Sequence, residues 1–521
     1  SNPCCRPAFD AMIPVDFNLS WLPLLAVLVS LAAVPLILLS SRWPNLREFW
    51  TFAAALAKFG LVLALLPVAL HGETVGIKVL ELAPGISLAL AADPLGVFFA
   101  LVASGLWIVT SVYSIGYMRG NGEKKQTRYF ASFALSLAST IGIAFADNLL
   151  TFLLFYELLT LATYPLVIHK ETPEAIRSGR MYLAYALTAG LVFLAGTVWI
   201  FFRTGSVDFQ AGGMIPSDAF SAGEMKALFL LFMVGVGVKS GVMPLHSWLP
   251  AAMVAPTPVS ALLHAVAVVK SGVFGVLRVT GYVFGPETMS AFGLDTVLAI
   301  FAGSTVLLAS VIAMRQDNLK KRLAYSTVGH LSYIVLGAAL LSPAALQGSL
   351  LHLSAHAVMK ITLFFCAGAI YVHTHKTEIS QLDGLGRKMP WTFGAFTVGA
   401  LGLAGLPPVN GFVSKWWLCL GSLEAGQQLA LGVFLLSGLL NAGYFFPIVI
   451  RAFFRPAPVA NGHHEQPSGE ASPWMVAPLC FTAVLALVLG VFPDFPLPFF
   501  ELAGRVVNAV TGGVETMLAH Q

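Results

Sequence analysis

Repeated apolar runs, each long enough to cross a lipid bilayer, constrain this sequence more than any other feature. A membrane-spanning helix needs about 20 predominantly apolar residues, and that length predicts about fourteen spans in this chain. Only 10% of the 521 residues are charged and 57% are apolar, whereas soluble domains carry about 25% charged residues. We therefore expect an all-α polytopic membrane protein and exclude a water-soluble one. The predicted spans are 20–40, 49–70, 91–117, 129–146, 148–168, 180–202, 227–255, 259–281, 291–314, 322–341, 345–372, 391–420, 428–453 and 474–492.

The distribution of basic residues predicts the orientation of the spans. Of the 29 lysine and arginine residues, eighteen fall in segments that follow odd-numbered spans, and six fall on the opposite side with both termini. Cytoplasmic loops are enriched in these residues, so we expect both termini on the outer side of the membrane. A net charge of +4 spread in this way does not indicate nucleic-acid binding. The remaining five lie inside predicted spans, and they are Lys58, Lys239, Lys270, Lys360 and Lys415.

Glycine and proline residues interrupt two spans. The seventh is interrupted at Gly241–Pro244, with Pro250 following, and the twelfth at Gly405–Gly411, which includes Pro407 and Pro408. Proline removes a helical hydrogen bond that lipid cannot replace, so such breaks persist only where protein or water satisfies the backbone. Interrupted spans in corresponding positions are typical of transporter repeats. Because the two lie five helices apart, we predict inverted repeats of spans 4–8 and 9–13; the alternative is two unrelated kinks.

We expect four segments along the chain. Spans 1–3 occupy 1–128, the first repeat 129–281 and the second repeat 291–453. The last segment, 454–521, combines a cytoplasmic linker, span 14 and an apolar stretch from Phe499 to Leu518. Charged residues punctuate that stretch, which favours a helix lying in the membrane interface.

Glu157 is the acidic residue nearest the middle of a predicted span. A charge at that depth costs roughly 2.5–3.5 kcal/mol on insertion scales, so the carboxyl group needs a partner, a proton or water. Lys239 is the expected ion-pair partner, Lys270 lies mid-span in helix 8, and Lys415 lies just past the second interruption. Buried groups of these types can exchange protons, and we interpret them as proton carriers with Lys415 last. The alternatives are a permanently neutral glutamate and structural lysines that reach toward water.

Histidines extend the same chemistry. His352, His356 and Lys360 recur at every fourth position of span 11, which places them on one helix face over about 12 Å. His330 lies on span 10 and His264 on span 8. Neutral imidazole accepts a hydrogen bond on one nitrogen and donates from the other, so this pattern favours a proton relay.

Metal or haem ligation by His352 and His356 is the rival interpretation, and ordinary core histidines are another. The sequence contains no HExxH or CxxCH motif, and its five cysteines form no CxxC pair. Zinc and haem sites usually carry such motifs. We therefore expect no metal and no cofactor.

Five segments of the sequence carry a family resemblance, and they are Leu154–Glu157, Gly237–Pro250, Ala255–His264 with Lys270, His352–Lys360 and Gly402–Lys415. Together they resemble the antiporter-type subunits shared by complex I, Mrp-type multisubunit cation/proton antiporters and membrane-bound energy-converting hydrogenases. The resemblance covers roughly residues 90–455 and implies fourteen helices, inverted five-helix repeats and a polar axis along the membrane midplane. It also implies an ion pair of Glu157 with Lys239 in the first half, a relay of Lys270 and the histidines, and an outlet at Lys415.

The branch of the family is a separate question. One complex I branch carries glutamate where Lys415 stands, which argues against that branch, and the chain is similar in size to the D-type component of Mrp antiporters. The resemblance thus implies a proton-translocating subunit of a sodium/proton antiporter in a bacterial or archaeal cytoplasmic membrane. Its partners would be other membrane subunits, and its ions protons and sodium. The alternative is a proton-pumping subunit of a complex I-like NADH–quinone oxidoreductase or of an energy-converting hydrogenase.

Functions from other classes are a polytopic membrane enzyme or haem protein that uses His352 and His356, and an inert assembly scaffold. A haem protein would show a Soret band, and a scaffold would tolerate neutralisation of Glu157 and Lys239. As a transporter subunit, the chain would have no catalytic site of its own.

Overall fold

The computed structural model describes residues 19–216, 218–456 and 469–512. Ten helices in these ranges are long and apolar enough to cross a membrane, which confirms a multi-pass helical membrane protein. The helices are α1 (Leu22–Leu39), α2 (Pro44–Ala64), α3 (Leu66–Leu70), α4 (Pro94–Gly120), α5 (Gln126–Ala144), α6 (Leu149–Val167), α7 (Pro173–Thr204), α8 (Ala222–Ser240), α9 (Trp248–Ala251), α10 (Thr257–Ala261), α11 (Val268–Arg278), α12 (Gly285–Ala291), α13 (Leu294–Met314), α14 (Leu319–Ala339), α15 (Pro343–Thr374), α16 (Pro390–Ala404), α17 (Asn410–Glu424), α18 (Gln428–Phe454), α19 (Pro473–Val491) and α20 (Phe499–Thr511).

Four predicted spans correspond to helices outside those ten. Spans 4, 7 and 10 correspond to α5, α8 and α14, which are 19 to 21 residues long and less apolar. Span 12 is divided into α16 and α17, of 15 residues each. Span 8 lies within Thr257–Ala291, one of the ten helices. In this segment π-helical turns at Leu262–Val266 and Val279–Phe284 join α10 to α11 and α11 to α12. The total of fourteen spans stays a prediction.

A β-hairpin between α3 and α4 is absent from the predicted elements. Strand β1 (Val75–Ala83) pairs with β2 (Ile86–Ala92) in antiparallel register. The turn Pro84–Gly85 has proline first and a glycine with φ of +78° second, the arrangement that a type II turn requires. The Ala91 N–H donates to the Phe145 carbonyl at 2.7 Å, which fastens the hairpin to the end of α5.

Both predicted interruptions are present as ends of helices. Helix α8 ends at Ser240 and α16 at Ala404, and each is followed by a glycine in the left-handed region, Gly241 and Gly405. The indole N–H of Trp248 donates to the Val238 carbonyl at 2.7 Å. The chain therefore folds back after α8 and satisfies one of the carbonyl groups that a helix end leaves unpaired.

The helices α6 and α14 begin in the same way. Asn148 precedes α6 and Asn318 precedes α14, and each side chain accepts a backbone N–H three residues later. Each asparagine also forms an isolated antiparallel bridge, Asn148 with Asp208 and Asn318 with Glu378. The second spans of the two predicted repeats, spans 5 and 10, thus begin with the same local geometry.

The described part of the predicted stretch Phe499–Leu518 forms helix α20. Helix α20 ends at Thr511, and its buried apolar face contacts α4 and α15. Residues 513–521 and, in the predicted linker, residues 457–468 lie outside the described part of the chain.

Candidate functional site

Helix α15 carries the largest group of buried charged or titratable side chains singled out from the sequence. His352, His356 and Lys360 are each 0% exposed. A polar group buried without a partner is costly, and all three side chains contact polar groups on neighbouring helices.

Lys270 connects α11 to this face of α15. Its Nζ donates to the Leu353 carbonyl at 3.0 Å and to His356 Nδ1 at 2.8 Å. Helix α11 also lies close to α8 at Gly272, where a side chain would overlap the backbone of Lys239 and Ser240. Lys270 therefore bridges the part of the chain that holds spans 4–8 and the part that holds spans 9–13.

A row of hydrogen bonds with a single direction runs from Asn441 through His330 and His352 to Ser414. His330 Nε2 accepts from the Asn441 amide at 3.2 Å, and its Nδ1 lies 3.1 Å from His352 Nε2. His352 Nδ1 lies 2.9 Å from Ser414 Oγ, which donates to the Gly411 carbonyl at 3.1 Å. Because an amide nitrogen only donates, His330 carries its proton on Nδ1 and donates it to His352 Nε2. His352 then carries its own proton on Nδ1 and donates it to Ser414 Oγ.

His356 lies beside this row. Its ring centroid is 5.5 Å from that of His330 and 6.1 Å from that of His352. Its Nε2 is buried and has no hydrogen-bond partner among the described residues. A ring rotation or one water molecule would therefore complete the link between Lys270 and His330.

Asn441 and Tyr444 join Lys360 to the same row. Lys360 Nζ donates to Ser326 Oγ at 2.7 Å, and Ser326 Oγ lies 2.9 Å from the Tyr444 hydroxyl. Tyr444 donates to Asn441 Oδ1 at 2.6 Å, and the Asn441 amide donates to His330. An amide does not carry protons, so this branch fixes the tautomer of His330 and does not itself form a conducting path.

Lys415 belongs to α17, and its ammonium group lies at the C-terminal end of α16. Its Nζ donates to the carbonyls of Leu403 at 2.6 Å and Ala404 at 3.2 Å, and it lies 5.0 Å from the Tyr333 ring centroid. Carbonyls at a helix C-terminus carry partial negative charge. The ammonium group is therefore stabilised by a helix end and two charge-assisted hydrogen bonds in place of a carboxylate.

The expected ion pair of Glu157 with Lys239 is not formed. Lys239 Nζ donates to the Tyr156 carbonyl and lies 3.4 Å from the centroid of the Tyr156 ring. Both carboxylate oxygens of Glu157 are buried without a hydrogen-bond partner in the described part of the chain, and the side chain packs against Gly190. The ammonium is satisfied by the neighbouring residue, which leaves the carboxyl group free to bind a proton or water.

Comparison with known proteins shows which family the chain belongs to. The family model described as "NADH:quinone oxidoreductase/Mrp antiporter, TM" matches residues 146–441. NADH-quinone oxidoreductase subunit N of Desulforudis audaxviator is 32% identical over 488 residues, which cover 91% of this chain and 96% of that protein. The chain belongs to this antiporter family.

Other members of the antiporter family are similar over different lengths. Hydrogenase-4 component B of Escherichia coli is 34% identical over 358 residues, which cover 66% of this chain and 52% of that protein. A chain in the structure of the Mrp complex from Dietzia sp. has the same fold, with a TM-score of 0.82, 23% identity, and coverage of 94% and 97% of the two chains. The family resemblance carried by the sequence motifs is therefore confirmed.

Within this antiporter-family chain, one predicted relay residue stands apart. Both ring nitrogens of His264 are buried without a partner among the described residues, and the ring packs 4.9 Å from that of Phe364. Among the same residues, no group of three histidine, cysteine or acidic side chains is placed to hold a metal ion. His352 in particular has both nitrogens engaged, by His330 and Ser414.

Four polar residues of the site were not singled out from the sequence. Each is a common residue type on an apolar span, and none carries a charge that would attract notice. The sequence pattern that could have indicated them is a polar side chain on each of the spans that hold α14 and α17, with an i, i+3 pair on α18. They are Ser326, Ser414, Asn441 and Tyr444.

Proposed function

We propose that this chain is a proton-translocating subunit of a multisubunit monovalent cation/proton antiporter. The hydrogen bond of 2.8 Å between Lys270 and His356 carries the proposal, because it brings a buried ammonium group against a buried imidazole. An imidazole that accepts a proton on one nitrogen can release it from the other. Protons would pass from Glu157 and Lys239 through Lys270 and the histidines to Lys415.

The missing Glu157 ion pair fits this role. A carboxyl group locked to an ammonium would hold both charges in place, whereas a carboxyl group with unpaired oxygens can load and unload a proton. Lys239 would then respond to the charge of Glu157 without direct contact. The two form a pair whose electrostatic interaction changes with each proton transfer.

The shared start of α6 and α14 supports the inverted repeats at 129–281 and 291–453. In that arrangement the interruptions after α8 and α16 are equivalent, and they lie next to Lys239 and Lys415. We place both termini on the outer side, as the basic residues indicate. Sodium is the proposed coupled ion, and other membrane subunits are the proposed partners.

A second candidate function is proton pumping in a redox-driven complex, with a quinone- or hydrogen-linked enzyme as the energy source. It is favoured by the match to a quinone oxidoreductase subunit over nearly the full length of both chains. The two candidates share the proton path and differ in what drives it. Proton transport by membrane vesicles of the source organism, measured after adding sodium, NADH or hydrogen gas one at a time, would distinguish them. A response to sodium favours the antiporter, and a response to NADH or hydrogen gas favours the redox-driven complex.

The test uses the assembled complex in inverted vesicles with a pH-sensitive dye. Glu157→Gln and Lys239→Ala should each abolish proton transport at normal assembly. Lys58→Met is the matched control, because Lys58 is equally buried and donates to the Leu137 carbonyl at 2.9 Å outside the proposed path. Near-normal transport by either path variant would contradict the proposal.

A further inference from the structure

A polar cavity lies at one end of the helix bundle, apart from the row of histidines. It has a volume of about 240 Å³ and lies where the β-hairpin, α20 and the ends of α4, α6 and α11 meet. Such a volume accommodates several water molecules. Its lining includes Asp93, Asp147, Arg278, Tyr282 and Phe209.

The acidic groups in this cavity differ in their partners. Asp93 caps α4 and forms two hydrogen bonds of 2.6 Å with the Arg278 guanidinium, so those two charges neutralise each other. Asp147 makes no ion-pair contact with a basic residue in the described chain. Burial first, then the nearby charge of Asp208 and more weakly that of Asp93, raises the pKa of Asp147 against the opposing effect of Arg278.

Two hydrogen-bonding groups in the cavity wall are incompletely paired within the described part of the chain. The Arg278 Nε atom is buried and unpaired, and the Tyr282 hydroxyl is buried with the Asp93 carboxylate as its neighbouring polar group. Tyr282 is 4% exposed and Arg278 3% exposed. Buried polar atoms without protein partners are usually satisfied by water, so we expect the cavity to be hydrated.

A succession of contacting aromatic rings connects the wall of this cavity to Lys239. Phe209 lines the cavity, and its ring centroid is 6.3 Å from that of Phe152. Phe152 stacks on Tyr156 at 5.3 Å and on Phe193 at 5.5 Å. The Lys239 ammonium lies 3.4 Å from the centroid of the Tyr156 ring. A shift of these rings would connect the cavity to the site at Tyr156 and Lys239.

We propose that the cavity is an outer vestibule, in which the carboxyl group of Asp147 exchanges protons between external water and the site at Tyr156 and Lys239. The proposal rests on the proposed function for the direction of transport. Phe152 and Phe193 close the vestibule toward the membrane interior. Arg278 and Asp93 hold its wall in place, and the Tyr282 hydroxyl orients the water beside Asp147.

Cysteine labelling tests the vestibule without transport. In a chain whose five cysteines are replaced by serine, Ala91→Cys places a thiol in the cavity wall at a position 8% exposed. A membrane-impermeant thiosulfonate added to whole cells should label it from outside. Ala211→Cys, on the exposed loop of the cavity rim, is the positive control, and Ala138→Cys, fully buried in α5, is the negative control. Failure to label the Ala91→Cys variant, or labelling only from the cytoplasmic side, would overturn the proposal.

The charge preference of labelling reports on Asp147. One negative charge nearby should make a cationic reagent react about threefold faster than an anionic one. That preference should be lost when the pH is lowered enough to protonate Asp147. The midpoint of the loss should lie above about pH 4, where an ordinary aspartate titrates. Asp208→Asn should lower the midpoint, because it removes a repelling charge, and Asp147→Asn should remove the titration. A titration that persists in Asp147→Asn with the same midpoint would overturn the assignment.

Transport completes the test. Asp147→Asn should slow proton transport by about tenfold or more, as loss of an acid–base group does, and Asp147→Glu should restore most of it. Normal transport by Asp147→Asn would exclude Asp147 from the path. If the unaltered complex moved no protons, the proposed function would fail, whereas the labelling experiment would still decide whether the vestibule exists.

Discussion

Replacing Lys415 with alanine should abolish proton transport, whereas replacing it with glutamate should leave part of it. Alanine leaves the carbonyls of Leu403 and Ala404 without the ammonium that contacts them at 2.6 and 3.2 Å. The Leu403 carbonyl keeps the Asn441 amide as a donor at 3.1 Å, so the Ala404 carbonyl is the group that loses its partner, at a cost of about 1–3 kcal/mol. Water entering the interruption after α16 offsets part of this cost, so we expect the complex to assemble without its terminal proton carrier.

Glutamate at position 415 would face the same two carbonyl oxygens. It can do so only with its proton in place, because an ionised carboxylate accepts hydrogen bonds and cannot donate them. The variant could therefore still load and release a proton, with a rate that rises with pH and stays about tenfold below normal. Initial rates of dye quenching in inverted vesicles, measured between acidic and alkaline pH at matched expression, provide the assay. Equal, near-normal rates for Lys415→Ala and Lys415→Glu would show that the proton leaves by another route.

Three further predictions follow from individual contacts. Gly190→Ala should impair transport because its methyl group would overlap the Glu157 carboxylate, whereas Gly432→Ala, where nothing lies within 4 Å, should not; transport rates at equal expression compare them. His356→Ala should impair transport and chelators should not; stoichiometric zinc whose removal stops transport would reverse that interpretation. Asn441→Leu should slow transport, because His330 would no longer be held in one tautomer, and a normal rate would show that the tautomer is unimportant.

Much of the fold follows from the sequence because the bilayer sets one length for most elements. Apolar runs locate the helices, and the glycine and proline residues after Ser240 and Ala404 locate the interruptions. The β-hairpin was missed because its strands lie next to span 3 and expose apolar side chains such as Leu80 and Leu82. Exposure of that kind breaks the alternation by which a half-buried strand is predicted.

The candidate site could be predicted only for residues whose type is unusual in a membrane. Charged and imidazole side chains within spans are costly, so Lys270 and His356 attract notice at once. Asn441 and Ser326 cost little to bury when they are hydrogen-bonded. Only the packing of α14 against α15, and of α18 against α14 and α16, gives them a role. The position of Lys239 against Tyr156 depends on rotamers and helix packing, which spacing along the sequence cannot supply.

The central claim is that protons cross from the first half of the chain to the second through Lys270 and His356. The most direct measurement is the rate of proton transport by the assembled complex carrying Lys270→Met, with Lys58→Met as the control for loss of a buried lysine. Methionine keeps the length of the side chain and removes the ammonium that donates to His356. The account predicts no transport above background for Lys270→Met and near-normal transport for Lys58→Met. A normal rate for Lys270→Met in a fully assembled complex would contradict it.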